Sequence, residues 1–282
     1  MGGPAGQSQK YPGETGKMDP EPHDEMREYE GRGLLAGKRA LVTGGDSGIG
    51  RAVAVAFAKE GADVAITYLN EDADARHTAG LVEREGRRCV TFGGDMDEER
   101  HSREVVAHAA RDLGGLDVLV LHHGTQDPVE DVREIDTEHL DRTFRVNVYS
   151  LFWSVQEALE HLPDDGSIVI TGSINGLRGN PSLIDYSASK AAAMVFAQSM
   201  AKALMERGIR VNTVSPGPVW TPLIPATFDE ERVEGFGEQA PMNRPAQPDE
   251  IAPSYVFFAS NLLSSYYTGQ NLVPAGGEIH PG

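Results

Sequence analysis

The sequence predicts an α/β fold: a single doubly wound domain on a mostly parallel, seven-stranded sheet with helices on both faces. Three observations carry this expectation. From Arg39 onward, short apolar runs alternate with longer helical stretches, the pattern of βαβ units and a parallel sheet. Several runs, DVLVL at 117–121 among them, are apolar almost without a break, as strands covered on both faces must be. A glycine-rich turn at 43–50 stands at the first strand-to-helix junction.

Residues 1–33 are rich in Gly, Pro and polar groups and show no amphipathic period, so they read as an extended or disordered arm. Tyr11, Met18, Met26 and Tyr29 give it apolar groups that could anchor it to the body or to a neighbouring subunit. The body follows at 34–282. Its first strand is expected at 39–43, followed by an alanine-rich helix at 49–60. A strand at 63–68 and a polar helix at 72–85 come next, then a strand at 88–92 and a helix at 98–113. The fourth strand, 117–121, precedes one long helix at 137–161, and the fifth is GSIVIT at 166–171. A helix at about 187–207, a sixth strand at 209–214 and a short seventh at 271–273 complete the sheet. The segment 222–248 is irregular, with Phe228 and Phe236 among acids, and is a candidate substrate lid.

Composition narrows the function. A chain of 282 residues builds a core without disulfide or metal. Cys89 is the sole cysteine, which rules out an intrachain disulfide and a thiolate metal cluster. A net charge of −18 argues against nucleic acid, whose phosphates require basic patches. No run reaches the roughly 18 apolar residues of a membrane span, and the N-terminus lacks the layout of a secretion signal. The expected protein is soluble and cytoplasmic.

The turn reads Thr43-Gly44-Gly45-Asp46-Ser47-Gly48-Ile49-Gly50. Gly44 permits the tight turn, Gly48 close approach of a pyrophosphate, and Gly50 helix–strand contact, while the helix N-terminus offers N–H groups to phosphate. This predicts a bound dinucleotide held by Gly44, Asp46, Ser47, Gly48, Ile49 and Gly50. An acid at the end of the second strand would bind the ribose 2′-hydroxyl of NAD, and a basic residue the 2′-phosphate of NADP. Tyr68, Leu69 and Asn70 stand there, followed by Glu71, and Ser47 is uncharged, so NAD versus NADP stays unresolved. Asp95, beside Met96 after the third strand, is placed to receive the adenine amino group.

Tyr186 and Lys190 lie four apart and so share one helix face. A free phenol has a pKa of about 10, and a neighbouring ammonium would favour the phenolate and lower it.

With these motifs in this order, the chain resembles the short-chain dehydrogenase/reductase family over about residues 34–277. The resemblance rests on the glycine turn, Asn147 after the fourth strand, Ser173 after the fifth, Tyr186-x-x-x-Lys190, and the turn Pro216-Gly217. The arm and the Gly-Asp-Ser-Gly-Ile-Gly turn are similar to the subgroup of glucose dehydrogenase-like enzymes and NADP-dependent aldehyde reductases with a long N-terminal arm. The resemblance implies a Rossmann-fold catalytic domain at 34–282 that moves hydride between NAD(P) and an alcohol or carbonyl substrate, without a metal. Tyr186 would be the general acid/base and Lys190 would tune it and hold the nicotinamide ribose. Ser173 would orient the substrate oxygen, and Asn147 would hold a water that relays protons. His122, Gly124, Pro216, Gly217, Val219 and Thr221 would also contact cofactor, and a homotetramer is expected. One departure is Leu121-His122-His123-Gly124, where the family commonly carries Asn-Asn-Ala-Gly. Two adjacent histidines point apart on a strand, and no third ligand is evident, so no metal site is expected. The altered stretch leaves one alternative: a dinucleotide-binding sensor or structural protein that keeps the fold without turnover.

Overall fold

A computed structural model describes residues 3–278. The termini of the two expected units, 1–2 and 279–282, lie outside the described residues. Seven parallel strands stand in the order β3-β2-β1-β4-β5-β6-β7. They are β1 (Arg39–Thr43), β2 (Asp63–Tyr68), β3 (Cys89–Gly93), β4 (Val118–Leu121), β5 (Ser167–Thr171), β6 (Arg210–Val214) and β7 (Asn271–Leu272). The order reverses between β1 and β4, and this switch point opens a crevice at the carboxyl ends of the strands.

Helices α1 (Gly48–Lys59), α2 (Asp72–Arg84) and α3 (Glu99–Leu113) follow the first three strands. The stretch expected as one long helix is broken into α4 (Thr137–Phe144), a π-helical turn at Arg145–Tyr149 and α5 (Ser150–Ala158). Hydrophobic period does not register a widened turn, because the apolar face continues through it. After β5 come α6 (Ile174–Arg178) and α7 (Ile184–Ala203), which begins before the expected Ser187 and so takes Tyr186 into its first turn. Short helices α8 (Leu223–Thr227) and α9 (Glu230–Val233) interrupt the expected lid, and α10 (Pro248–Ala259) and α11 (Asn261–Ser264) precede β7. Helix α10 went unread, although Pro248 at its first turn and the Gln247/Glu250 capping box mark its start.

One apolar layer packs α1, α2 and α10 on a face of the sheet around Phe57, Leu81, Tyr255 and Phe258. The other packs α3, α5 and α7 around Val106, Leu151, Phe196 and Ala197. A third, smaller cluster joins Met18 of the arm to Trp220, Ile224 and Val233. Residues 3–33 therefore lie packed along the body. Met18 and Met26 are buried, the Trp220 indole donates to the Pro20 carbonyl at 2.8 Å, and Gln9 N–H donates to Pro225 O at 2.6 Å. No helix among the described residues is long and apolar enough to cross a membrane.

Candidate active site

The crevice is a cavity of about 400 Å³ running from the glycine turn to Tyr186. Its floor at the turn is shaped by what glycine permits. Gly48 has φ +50, and a Cβ there would meet Thr221 Cγ2 at 3.0 Å, so the segment after β6 closes directly over the turn. A Cβ at Gly50 would stand 1.8 Å from the Gly44 carbonyl oxygen, so only glycine lets α1 abut the turn. Ser47, at the N-cap, makes no side-chain capping bond. The Gly48 N–H goes instead to Asp24 Oδ2 of the arm at 3.2 Å.

Of the expected cofactor residues, Gly44, Asp46, Ser47, Gly48, Ile49, Tyr68, Leu69, Asp95, Met96, His122 and Gly124 line the cavity. Pro216, Gly217, Val219 and Thr221 line it from the β6 side. Gly50 is buried beneath the turn. Asn70 departs from expectation: it is exposed and its N–H turns to Glu71 Oε2 at 3.2 Å, while Glu71 takes the lining position. The chain bends into α2 one residue later than the strand-end rule assumes. Burial and then Glu71 push Asp46 up to about 7, and burial likewise raises Glu71. Asp95 accepts from Arg142 Nη2 at 2.8 Å and from Asp97 N–H at 3.1 Å.

At the other end, Ser173, Tyr186 and Lys190 line the same cavity. Lys190 is buried; its ammonium donates to the Thr171 carbonyl at 2.9 Å and lies 5.8 Å from the Tyr186 ring centre. The expectation that Lys190 lowers the phenol's pKa does not hold here. Burial raises Tyr186 above its ordinary value, with the Ser173 side chain pulling the other way, and burial drives Lys190 itself down to about 8. A water-poor pocket penalises phenolate and ammonium alike, and the ammonium is turned to the backbone of β5.

Asn147 sits in the π turn, buried. Its Oδ1 accepts Thr125 N–H at 2.8 Å, and its Nδ2 donates to Thr125 O at 2.8 Å and Ser189 Oγ at 3.0 Å. Its amide is thus engaged by protein, whereas the resemblance assigns it a water. A Cβ at Gly124 would stand 3.2 Å from Lys190 Nζ and 3.3 Å from Asn147 Oδ1, so the two groups converge on that backbone. The histidine pair is accounted for. His122 Nδ1 pairs with Thr171 Oγ1 at 3.0 Å, and His123 bonds Thr43 Oγ1 at 2.7 Å and Ser150 Oγ at 2.8 Å. Burial, helped by the Lys190 charge, holds both neutral with pKa values near 3. The His122 ring hydrogen-bonds strand β5 and the His123 ring links β1 to α5, as an asparagine side chain could.

Sequence reasoning missed Tyr11, Gln126, Arg142, Arg178 and Glu278, all of which line the cavity. None sits in a motif; they are brought in by the arm, by loops, by α4 and by the end of α6.

A parallel sheet in this order, with a glycine turn at its switch point and a Ser-Tyr-Lys set across the crevice, defines a Rossmann-type oxidoreductase. The chain belongs to the short-chain dehydrogenase/reductase family. A family model described as enoyl-(acyl carrier protein) reductase matches residues 44–278. General stress protein 39 of Bacillus subtilis is 50% identical over 276 residues, covering 98% of this chain and 96% of that protein, so the match takes in most of the arm. The chloroplastic NADPH-dependent aldehyde reductase 1 of Arabidopsis thaliana is 43% identical over 284 residues, with 98% of this chain and 99% of that one covered. Among solved structures, a short-chain dehydrogenase from Burkholderia cenocepacia J2315 in complex with NADP superposes with a TM-score of 0.81 at 34% identity. That match covers 86% of this chain and 98% of the other.

Proposed function

We propose that the protein reduces an aldehyde, ketone or sugar carbonyl with an NAD(P) cofactor, Tyr186 giving the proton to the carbonyl oxygen. The observation that carries this is that Ser173, Tyr186 and Lys190 line one cavity with the glycine turn. Proton transfer from a positioned phenol contributes about 10² to 10⁴-fold.

The cavity fits a dinucleotide. Ser47 and Ile49 border the glycine turn where a pyrophosphate would lie, the Gly48 N–H being held by Asp24 of the arm, while Asp95 and Met96 border the adenine end, and Val219 and Thr221 border the nicotinamide end. When bound, the cofactor supplies the hydride. The chain's own residues do the rest. Ser173 orients the substrate oxygen against Tyr186, and Lys190 holds ribose hydroxyls from its place on Thr171 O. Asn147 fixes the loop at Gly124–Thr125 and the start of α7 through Ser189. Loss of reduced-cofactor absorbance with NADPH and NADH, over a panel of aldehydes, ketones and sugars, tests the reading; cofactor binding with no consumption on any of them would sink it.

Two features support assembly as a homotetramer. Phe152 and Val195 leave apolar surface on α5 and α7, 45% and 61% exposed, and Leu262 and Tyr266 do so near the C-terminus, 81% and 98% exposed. A cytoplasmic location belongs to the same reading, which the single cysteine suits.

A further inference from the structure

We propose that the N-terminal arm supplies one wall of the cofactor site, the Tyr11 ring packing against the adenosine half of the bound dinucleotide. This rests on the reading of the cavity as a dinucleotide site. Tyr11, Pro12 and Gly13 line the same cavity as the glycine turn and Asp95. They do so because the arm is fastened on both sides of them. Before Tyr11, Gln9 N–H donates to Pro225 O at 2.6 Å, in α8. After it, Gly13 lies so close to Pro222 that a Cβ would be 2.6 Å from its carbonyl oxygen, and Thr15 N–H donates to Asp74 Oδ2 at 3.0 Å, on α2. The span therefore crosses from the segment after β6 to α2, over the mouth of the crevice.

The groups acting on the phenol locate it. Thr125 hydrogen-bonds it, and the charges of Arg142, Asp95 and Glu71, which line the same cavity, act on it from the carboxyl ends of β2 and β3 and from α4, which is the end where adenosine is expected. Burial raises the phenol's pKa, and 37% of the residue's surface stays uncovered. A fixed, neutral aromatic ring with one open side is what a purine stacks on. Further along, Asp24 accepts the Gly48 N–H and pairs with Arg51 at 3.1 Å, so the arm is also tied to the turn that meets the pyrophosphate.

The test is calorimetric titration of the full-length protein with NADPH, NADH, ADP and reduced nicotinamide mononucleotide, in wild type, Tyr11→Ala and Tyr11→Phe. Tyr11→Ala should weaken ADP and both dinucleotides about tenfold, toward the lower end of what a base loses with its aromatic partner. It should leave the mononucleotide within twofold, and Tyr11→Phe should bind like wild type. Affinity for ADP and the dinucleotides within twofold of wild type in Tyr11→Ala would overturn the proposal. So would equal losses for ADP and the mononucleotide, which would mean general loosening. Should Tyr11→Ala fail to fold, amide exchange in wild type decides: ADP must slow exchange over residues 9–15, and unchanged rates overturn the wall. A wild type that binds neither dinucleotide would defeat the reading of the cavity itself, an outcome separate from a wild type that binds and a Tyr11→Ala that binds equally.

Discussion

The Lys190 ammonium donates to the carbonyl of Thr171 at 2.9 Å, at the last residue of strand β5. Its pKa falls to about 8 through burial, below the ordinary lysine value of 10.5. Between pH 8 and 10.5 the unfolded chain binds more protons at this position than the folded one, so stability rises with pH across that window. At pH 7 the buried charge is a cost. Lys190→Met should therefore raise stability at pH 7 by about 2 kcal/mol, after allowing for the lost hydrogen bond. The gain should shrink toward pH 10.5, and turnover should drop at least ~100-fold. Denaturant melts at both pH values check this; a variant less stable at pH 7, with no pH dependence in the difference, would contradict it.

The arm is tied to the catalytic body by charge. Arg51 and Asp24 are each 2% exposed and meet at 3.1 Å, and Arg51 also reaches Asp74 at 2.7 Å. Removing one partner of a buried pair strands the other, at a cost of about 3–5 kcal/mol. Arg51→Met should lose that much in a urea melt, and the Asp24→Asn/Arg51→Met double variant should lose less than the two single losses added. Simple additivity would show that the pair does not couple.

Much of this was legible in the sequence, for identifiable reasons. A strand such as β4, Val-Leu-Val-Leu, announces itself because burial on both faces leaves no polar position, and the glycine turn is forced by contacts only glycine tolerates. Ser173, Tyr186 and Lys190 line one cavity as their order implied. What stayed hidden depends on tertiary packing. The π turn at Asn147 leaves no mark on hydrophobic period. Glu71 rather than Asn70 lines the crevice because of where the chain bends into α2. The arm shows no amphipathic period since it is held residue by residue, through Met18, Asp24 and main-chain bonds, and not by one continuous apolar face. The direction of the Tyr186 shift depends on burial, which spacing alone does not report.

The paired histidines predict an acid-sensitive core. His122 and His123 titrate near 3 in the folded protein against 6.5 ordinarily, so the unfolded state binds more protons between those values. Stability contributed by each neutral ring is present above pH 6.5 and is lost as pH falls toward 3. Relative to His123→Asn, wild type should lose roughly 1.4 kcal/mol per pH unit below 6.5. Thermal melts of both proteins from pH 7 to 4 measure the difference; parallel curves would refute a neutral His123.

Assembly gives a further check. Phe152, 45% exposed on α5, packs its ring 4.4 Å from that of Phe196 on α7. Phe152→Glu places a charge on this apolar face and should convert the proposed homotetramer to a smaller species by light scattering. A monomeric wild type would dismiss the assembly, and a Phe152→Glu tetramer would move it to another face.

Everything turns on the Tyr186 hydroxyl as the proton donor, and one comparison reaches it directly. Tyr186→Phe keeps the ring and removes only that group, so NADPH or NADH should bind within twofold of wild type by titration. Reduction of the best carbonyl substrate should fall about 10² to 10⁴-fold. Turnover that survives the loss of the hydroxyl, with cofactor bound as before, would contradict the assignment.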